Sequence, residues 1–120
     1  MVLIDTIYIH NSGGKILLNI LIKKIVSIGQ ESFFFLFDNR LDPKIYKELK
    51  LENFRILKAS EQSRKSFYKK NKKSFNNYFC FSNVPPPIQI EKPVIIYFHN
   101  VIILDPTKSN IGLIQKFKFT

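Results

Sequence analysis

The sequence predicts an α/β protein: a Rossmann-like parallel sheet of roughly five strands with helices on both faces. Short, continuous apolar runs alternate with segments of helical periodicity, as in a parallel sheet with helical crossovers. The first apolar run breaks at Ser12-Gly13-Gly14 and leads directly into a helical pattern. A chain of 120 residues, 45% of them hydrophobic, is long and apolar enough to bury one core, so residues 1–120 are expected to form a single domain.

The elements follow in order. Residues 2–8 are continuous and rich in β-branched side chains, which suits a strand buried on both faces. Over 15–28, Leu17, Leu18, Leu21, Ile22, Ile25 and Val26 recur at three- and four-residue spacing, and Gly29 is placed to end the helix. Residues 32–37 form a second buried strand. Leu41-Asp-Pro43 is a turn before a short helical segment at 44–49. Residues 53–58 read as a half-buried third strand. Ser60 is a helix cap with Glu61 at the positive end of a helix over 61–73. Residues 78–82 and 93–99 are the fourth and fifth strands. Between them, Asn83-Val-Pro-Pro-Pro-Ile88 must be a rigid loop, because proline cannot donate to a ladder. Residues 101–120 fit strand and helix equally, with a helix able to start at Ser109. The expected strand order is 3-2-1-4-5.

The formal charge is +10, from 19 basic and 9 acidic residues. That balance favours polyanions, anionic membrane surfaces or phosphorylated substrates. A single cysteine, Cys80, excludes an intramolecular disulfide framework, and its apolar neighbours suit a core thiol. No secretory signal or uninterrupted membrane-spanning run stands out.

Candidate site residues cluster where strands end. Ser12-Gly13-Gly14 reads either as a loop whose N–H groups hold phosphate or a sugar oxygen, or as an ordinary turn. It lacks both the G-x-G-x-x-G and the Gly-Lys-Ser/Thr patterns. His99 ends the fifth strand and is followed by Asn100. An imidazole there can exchange protons or bond hydroxyls near neutral pH, or can be structural. His10 in the first loop is a weaker candidate for the same crevice. Asn83 is a crevice contact or a loop-packing residue. Asp38-Asn39-Arg40 reads best as a local Asx turn. Arg64, Lys65, Lys69, Lys70, Lys72 and Lys73 read first as a solvated helix face with Phe67, Tyr68 and Phe75 packed inward. The rival reading is contact with anionic lipid or a polyanion. Two histidines and one cysteine lack metal-ligand spacing, so no metal or cofactor is expected.

Taken together, Ile9-His-Asn-Ser-Gly-Gly-Lys15, Leu36-Phe-Asp-Asn-Arg40, Arg55-Ile-Leu-Lys-Ala-Ser60, Asn83-Val-Pro-Pro-Pro87 and Tyr97-Phe-His-Asn100 resemble the N-terminal portion of bacterial family 4 glycosyltransferases. The resemblance spans nearly the whole chain and implies one half of a GT-B fold, in which two Rossmann-like domains face a cleft. It implies that Gly13 and Gly14 line the cleft near the donor phosphates, and that His99 lies near the reacting sugar. The implied partners are a nucleotide-sugar donor and a glycan or lipid-linked acceptor, in surface polysaccharide or lipopolysaccharide synthesis. The implied location is the cytoplasm or the inner face of the membrane.

The chain departs from that family's pattern. Its glutamates stand at 31, 48, 52, 61 and 91, and none forms the Glu-x7-Glu pair of the donor-binding C-terminal domain. The resemblance therefore implies an incomplete, acceptor-side half that is inactive alone. The alternative expectation is a basic α/β module binding nucleic acid or another polyanion, which charge alone supports less well.

Overall fold

The computed structural model describes residues 1–98 and 101–104. Five parallel strands form one sheet: β1 (Val2–Asp5), β2 (Phe33–Asp38), β3 (Phe54–Leu57), β4 (Asn77–Cys80) and β5 (Val94–Phe98). A sixth, β6 (Val101–Leu104), pairs antiparallel with β5, giving the order β3-β2-β1-β4-β5-β6. The parallel part has the expected order. The antiparallel edge occupies residues the sequence left open between strand and helix. A helix from Ser109 falls outside the described residues.

Among the described residues, two helices cover opposite faces of the sheet. On one, α1 (Ser12–Ile28) sets Leu18, Ile22 and Ile25 against Ile4, Phe35 and Phe37. On the other, α2 (Glu61–Lys70) sets Phe67 and Tyr68 against Leu3, Leu36 and Tyr78. The two-residue strand period explains the sorting: Leu3 and Ile4 point to opposite faces, as do Phe35 and Leu36. Aromatic rings fill much of the space, with Phe37 stacked on Tyr46 at 4.4 Å and Phe34 on Phe67 at 5.9 Å.

Helix ends follow their capping chemistry. Ser60 caps α2 by accepting from the Ser63 N–H at 3.1 Å, with Glu61 in the first turn. Gly29 ends α1 with φ of +115°, a left-handed conformation that glycine adopts without a Cβ clash. The segment expected to be helical at 44–49 is instead a single 3₁₀ turn, Pro43–Tyr46, capped by Asp42. A second 3₁₀ turn, Leu51–Asn53, precedes β3.

One expectation is overturned inside α2. Arg64 does not belong to the solvated basic face; it is fully buried. Its Nε and Nη2 donate to Asp5 Oδ2 at 3.1 and 2.8 Å, and its Nη1 donates to Glu61 Oε1 at 2.8 Å. The Tyr68 hydroxyl donates to the same Asp5 oxygen at 2.7 Å. Arg64 lies on the Phe67–Tyr68 side of the helix, so the helical repeat aims it at the sheet while Lys65, Lys69 and Lys70 face solvent. Burial raises the Tyr68 hydroxyl, and the Asp5 charge raises it further. Burial first, and Asp5 second, push the Cys80 thiol up to about 12. Cys80 is thus a protonated core thiol, as its apolar neighbours suggested.

Removing one member of a buried ion pair leaves the other charged and unpaired, at a cost of about 3–5 kcal/mol. Arg64→Ala is therefore expected to lower unfolding free energy by about that amount in urea titrations, whereas Lys65→Ala changes it by no more than about 0.5 kcal/mol. Equal effects would contradict the burial of Arg64.

Candidate functional site

The chain runs from β1 outward to β2 and β3, then returns to place β4 on the other side of β1. In an open α/β sheet, ligands bind outside the carboxyl ends of the strands where the winding reverses, here between β1 and β4. A cleft of about 550 Å³ lies there. The segment after β1 contributes Ile9, Gly13, Gly14 and Leu17; the segment after β4 contributes Phe81, Ser82 and Asn83; β5 contributes Tyr97.

The local conformations arise from a few hydrogen bonds. Asp5 Oδ1 accepts from the Ile7 N–H at 3.1 Å, so β1 ends at Asp5 rather than continuing to residue 8. The backbone carbonyl of Asp5 accepts from the Phe81 N–H at 2.9 Å, which brings the end of β4 beside it. Tyr8 follows with φ of +83°, held by its N–H on Asp38 Oδ2 at 2.9 Å and its hydroxyl on Glu61 at 3.0 Å. Ser12 and Asn83 also have positive φ, at 57° and 64°. All three lie in or next to the segments after β1 and β4. Such non-glycine conformations cost on the order of 1–3 kcal/mol each and concentrate at functional sites.

The expected Ser12-Gly13-Gly14 loop is a correction: these residues form the first turn of α1. Asn11 makes no side-chain cap and no acidic residue occupies that turn. The first N–H groups of the helix therefore lack intrahelical and side-chain cap partners, and they carry the positive end of its dipole. Neither glycine has positive φ, so backbone conformation does not require them. A Cβ on Gly13 would meet nothing within 4 Å, and one on Gly14 would meet the Ile9 side chain at 3.3 Å. What the glycines provide is an unobstructed approach to the helix end.

Three of the sequence-predicted residues thus come together: Gly13, Gly14 and Asn83. Ser12 lies on the outer side of the same turn, beside Lys15 and Ile16. His10 is half-buried in the connecting loop and does not line the cleft. His99 and Asn100 lie outside the described residues; β5 runs parallel to β4, so Phe98 ends at the same edge. Asp38-Asn39-Arg40 is the local turn expected. Asp38 Oδ1 accepts from the Arg40 N–H at 2.9 Å, and the guanidinium returns to the same carboxylate at 2.8 Å.

Sequence reasoning missed Phe81, Ser82 and Tyr97 as site residues. Phe81 and Tyr97 stack at 5.1 Å and 11°, making an aromatic wall. The Ser82 hydroxyl oxygen is buried without a hydrogen-bond partner. An orphan buried hydroxyl of this kind calls for a ligand or water to satisfy it. The available signal was position: Phe81 and Ser82 directly follow β4, and Tyr97 sits near the carboxyl end of β5. Among the described residues, no group of three or more His, Cys, Asp or Glu side chains is placed to hold a metal ion.

Comparison with protein-family models, curated proteins and solved structures finds no match to this chain. What is established is the α/β parallel-sheet fold and the position of the cleft within it. Among the described residues, no helix is long and apolar enough to cross a membrane.

Gly13→Ala should stabilise the protein by about 0.5–1 kcal/mol, since the helix gains a better former in open space. Gly14→Ala should gain less, because Ile9 must shift; thermal unfolding of the two variants checks the order. For Asp38, burial pushes the carboxyl up, but the Arg40 side chain and the Arg40 and Tyr8 N–H groups outweigh it and hold it below the usual range. A folded pKa below the unfolded one gives stability that is present above about pH 4 and lost as pH falls through the folded value. Asp38→Asn should flatten that acid limb in a pH series of urea midpoints, and an unchanged limb would contradict the assignment.

Proposed function

We propose that this chain is the acceptor-side half of a GT-B-type glycosyltransferase, transferring a sugar from a nucleotide-sugar to an acceptor hydroxyl in surface-glycan synthesis. The observation that carries the reading is the convergence of Gly13, Gly14 and Asn83 on one cleft at the reversal point of the sheet. In this reading the open first turn of α1 receives the negative charge of the donor diphosphate. The stacked Phe81 and Tyr97 rings offer a face for a sugar or base, and the Ser82 hydroxyl supplies a hydrogen bond. The family resemblance assigns His99 a role near the reacting sugar. The acceptor oxygen attacks the anomeric carbon, the bond to the nucleoside diphosphate breaks, and the acceptor proton passes to a base.

In this reading a second α/β half, carrying the rest of the donor site, faces this cleft. Transfer therefore requires that partner, while weak donor binding does not. The burial of Phe67, Tyr68 and Phe75 bears on the polyanion alternative, because these rings are not free to stack on bases.

Titrating the labelled 120-residue chain with UDP-glucose and GDP-mannose tests the reading by amide chemical shifts. One or both should perturb Gly13, Gly14, Ser82 and Asn83, with dissociation constants on the order of 1 mM for part of the donor site. No sugar transfer should accompany binding. Shifts confined to α2 would favour the polyanion module, and rapid transfer by the chain alone would contradict the need for a second half.

A further inference from the structure

The outer face of α1 is unusual for a helix that covers a sheet. Ile16 is 64% exposed and Ile20 60%, with Leu17 and Ile28 also exposed. Ile16 and Ile20 are one turn apart and so project side by side. A shallow groove continues this apolar strip to Ile45, with Lys15 on its border. The same helix carries Lys23 and Lys24 at exposed positions. From Thr6 through Gln30 there is no aspartate or glutamate.

We propose that this face of α1 docks on an anionic phospholipid membrane. The argument is charge complementarity joined to apolar exposure. A bilayer of anionic lipid offers negative charge at its surface and hydrocarbon directly beneath. Isoleucines at equal height can enter the acyl boundary while lysine stems lie along it and keep their ammonium groups at the phosphates. A second copy is a poorer occupant, because pairing this face with itself would oppose lysines with no acidic residue to offset them.

The fold also decides between the two basic helices. α1 and α2 lie on opposite faces of the sheet, so one planar membrane can meet only one of them. The exposed positions of α2 are Glu61, Gln62, Lys65, Ser66, Lys69 and Lys70, none of them apolar. Charge alone gives α2 a screened, superficial attraction. The lysine run that the sequence offered as the lipid contact is therefore not the docking face; α1 is. Leu17 belongs both to this face and to the cleft, so the cleft opens beside the docked surface. The proposal does not depend on the transferase reading.

Flotation of the full chain with vesicles of phosphatidylcholine, alone or mixed with phosphatidylglycerol, tests it. Binding is expected only to the mixed vesicles. The exposed double variant I16S/I20S should bind at least about tenfold more weakly, from lost apolar burial. K23E/K24E should also weaken binding, whereas K69E/K72E on the other face should change it by less than roughly twofold. As a second readout, an Ile20→Cys variant can be labelled at the new thiol, because native Cys80 is buried. An environment-sensitive dye there should shift to the blue on mixed vesicles. Several results would overturn the proposal: equal binding to both vesicles, no effect of I16S/I20S, a larger effect of K69E/K72E, or no dye shift. A dimer in sedimentation that I16S/I20S dissolves would instead assign the face to a second copy.

Discussion

A carboxylate sealed at the end of the first strand is the constraint on which the rest of the structure depends. Asp5 is fully buried in the middle of the sheet, between β2 and β4. An ionised carboxylate cannot remain there without donors, since desolvation costs several kcal/mol even after relaxation. Three groups of the chain supply them: the Arg64 guanidinium and Tyr68 hydroxyl of α2, and the N–H of Ile7. Satisfying one side chain therefore fixes the seat of α2 and the point at which β1 must turn.

The same charge organises the cleft at a distance. Arg64 Nη2, while paired with Asp5, also donates to the Pro85 carbonyl at 3.1 Å. That bond ties down the loop that begins with Ser82 and Asn83. Glu61 accepts from both Arg64 and Tyr8, so the unusual backbone of Tyr8 is braced by the same network. The guanidinium also lies 5.7 Å from the centres of the Tyr8 and Tyr68 rings. One face of the sheet thus holds a helix in place, and its ionic contacts set the two segments that form a cleft opening toward the other helix.

Much of the fold was legible because it rests on local, repetitive signals. Continuous apolar runs marked the parallel strands, the spacing of Leu18, Ile22 and Ile25 marked α1, and Ser60 with Glu61 marked the start of α2. What could not be read depends on contacts between distant residues. Arg64 looked like one more base in a basic run, and nothing local says that Asp5, 59 positions away, is its partner. Ser12-Gly13-Gly14 looked like a loop because glycine usually breaks helices, yet here they form the first turn of one, where the intrahelical ladder has not begun. In the cleft, glycines and Asn83 are conspicuous residue types, whereas Phe81 and Tyr97 are ordinary strand residues until the sheet order places them together.

The central claim is that Asp5 and Arg64 act as one unit, and a double-mutant cycle tests it most directly. Unfolding free energies of the parent, Asp5→Asn, Arg64→Met and the double variant give their coupling without assuming the value of either contact. A unit predicts that the double variant is more stable than the sum of the single losses implies, by about 2–3 kcal/mol. Losses that add to within about 0.5 kcal/mol would show two independent residues and contradict the account.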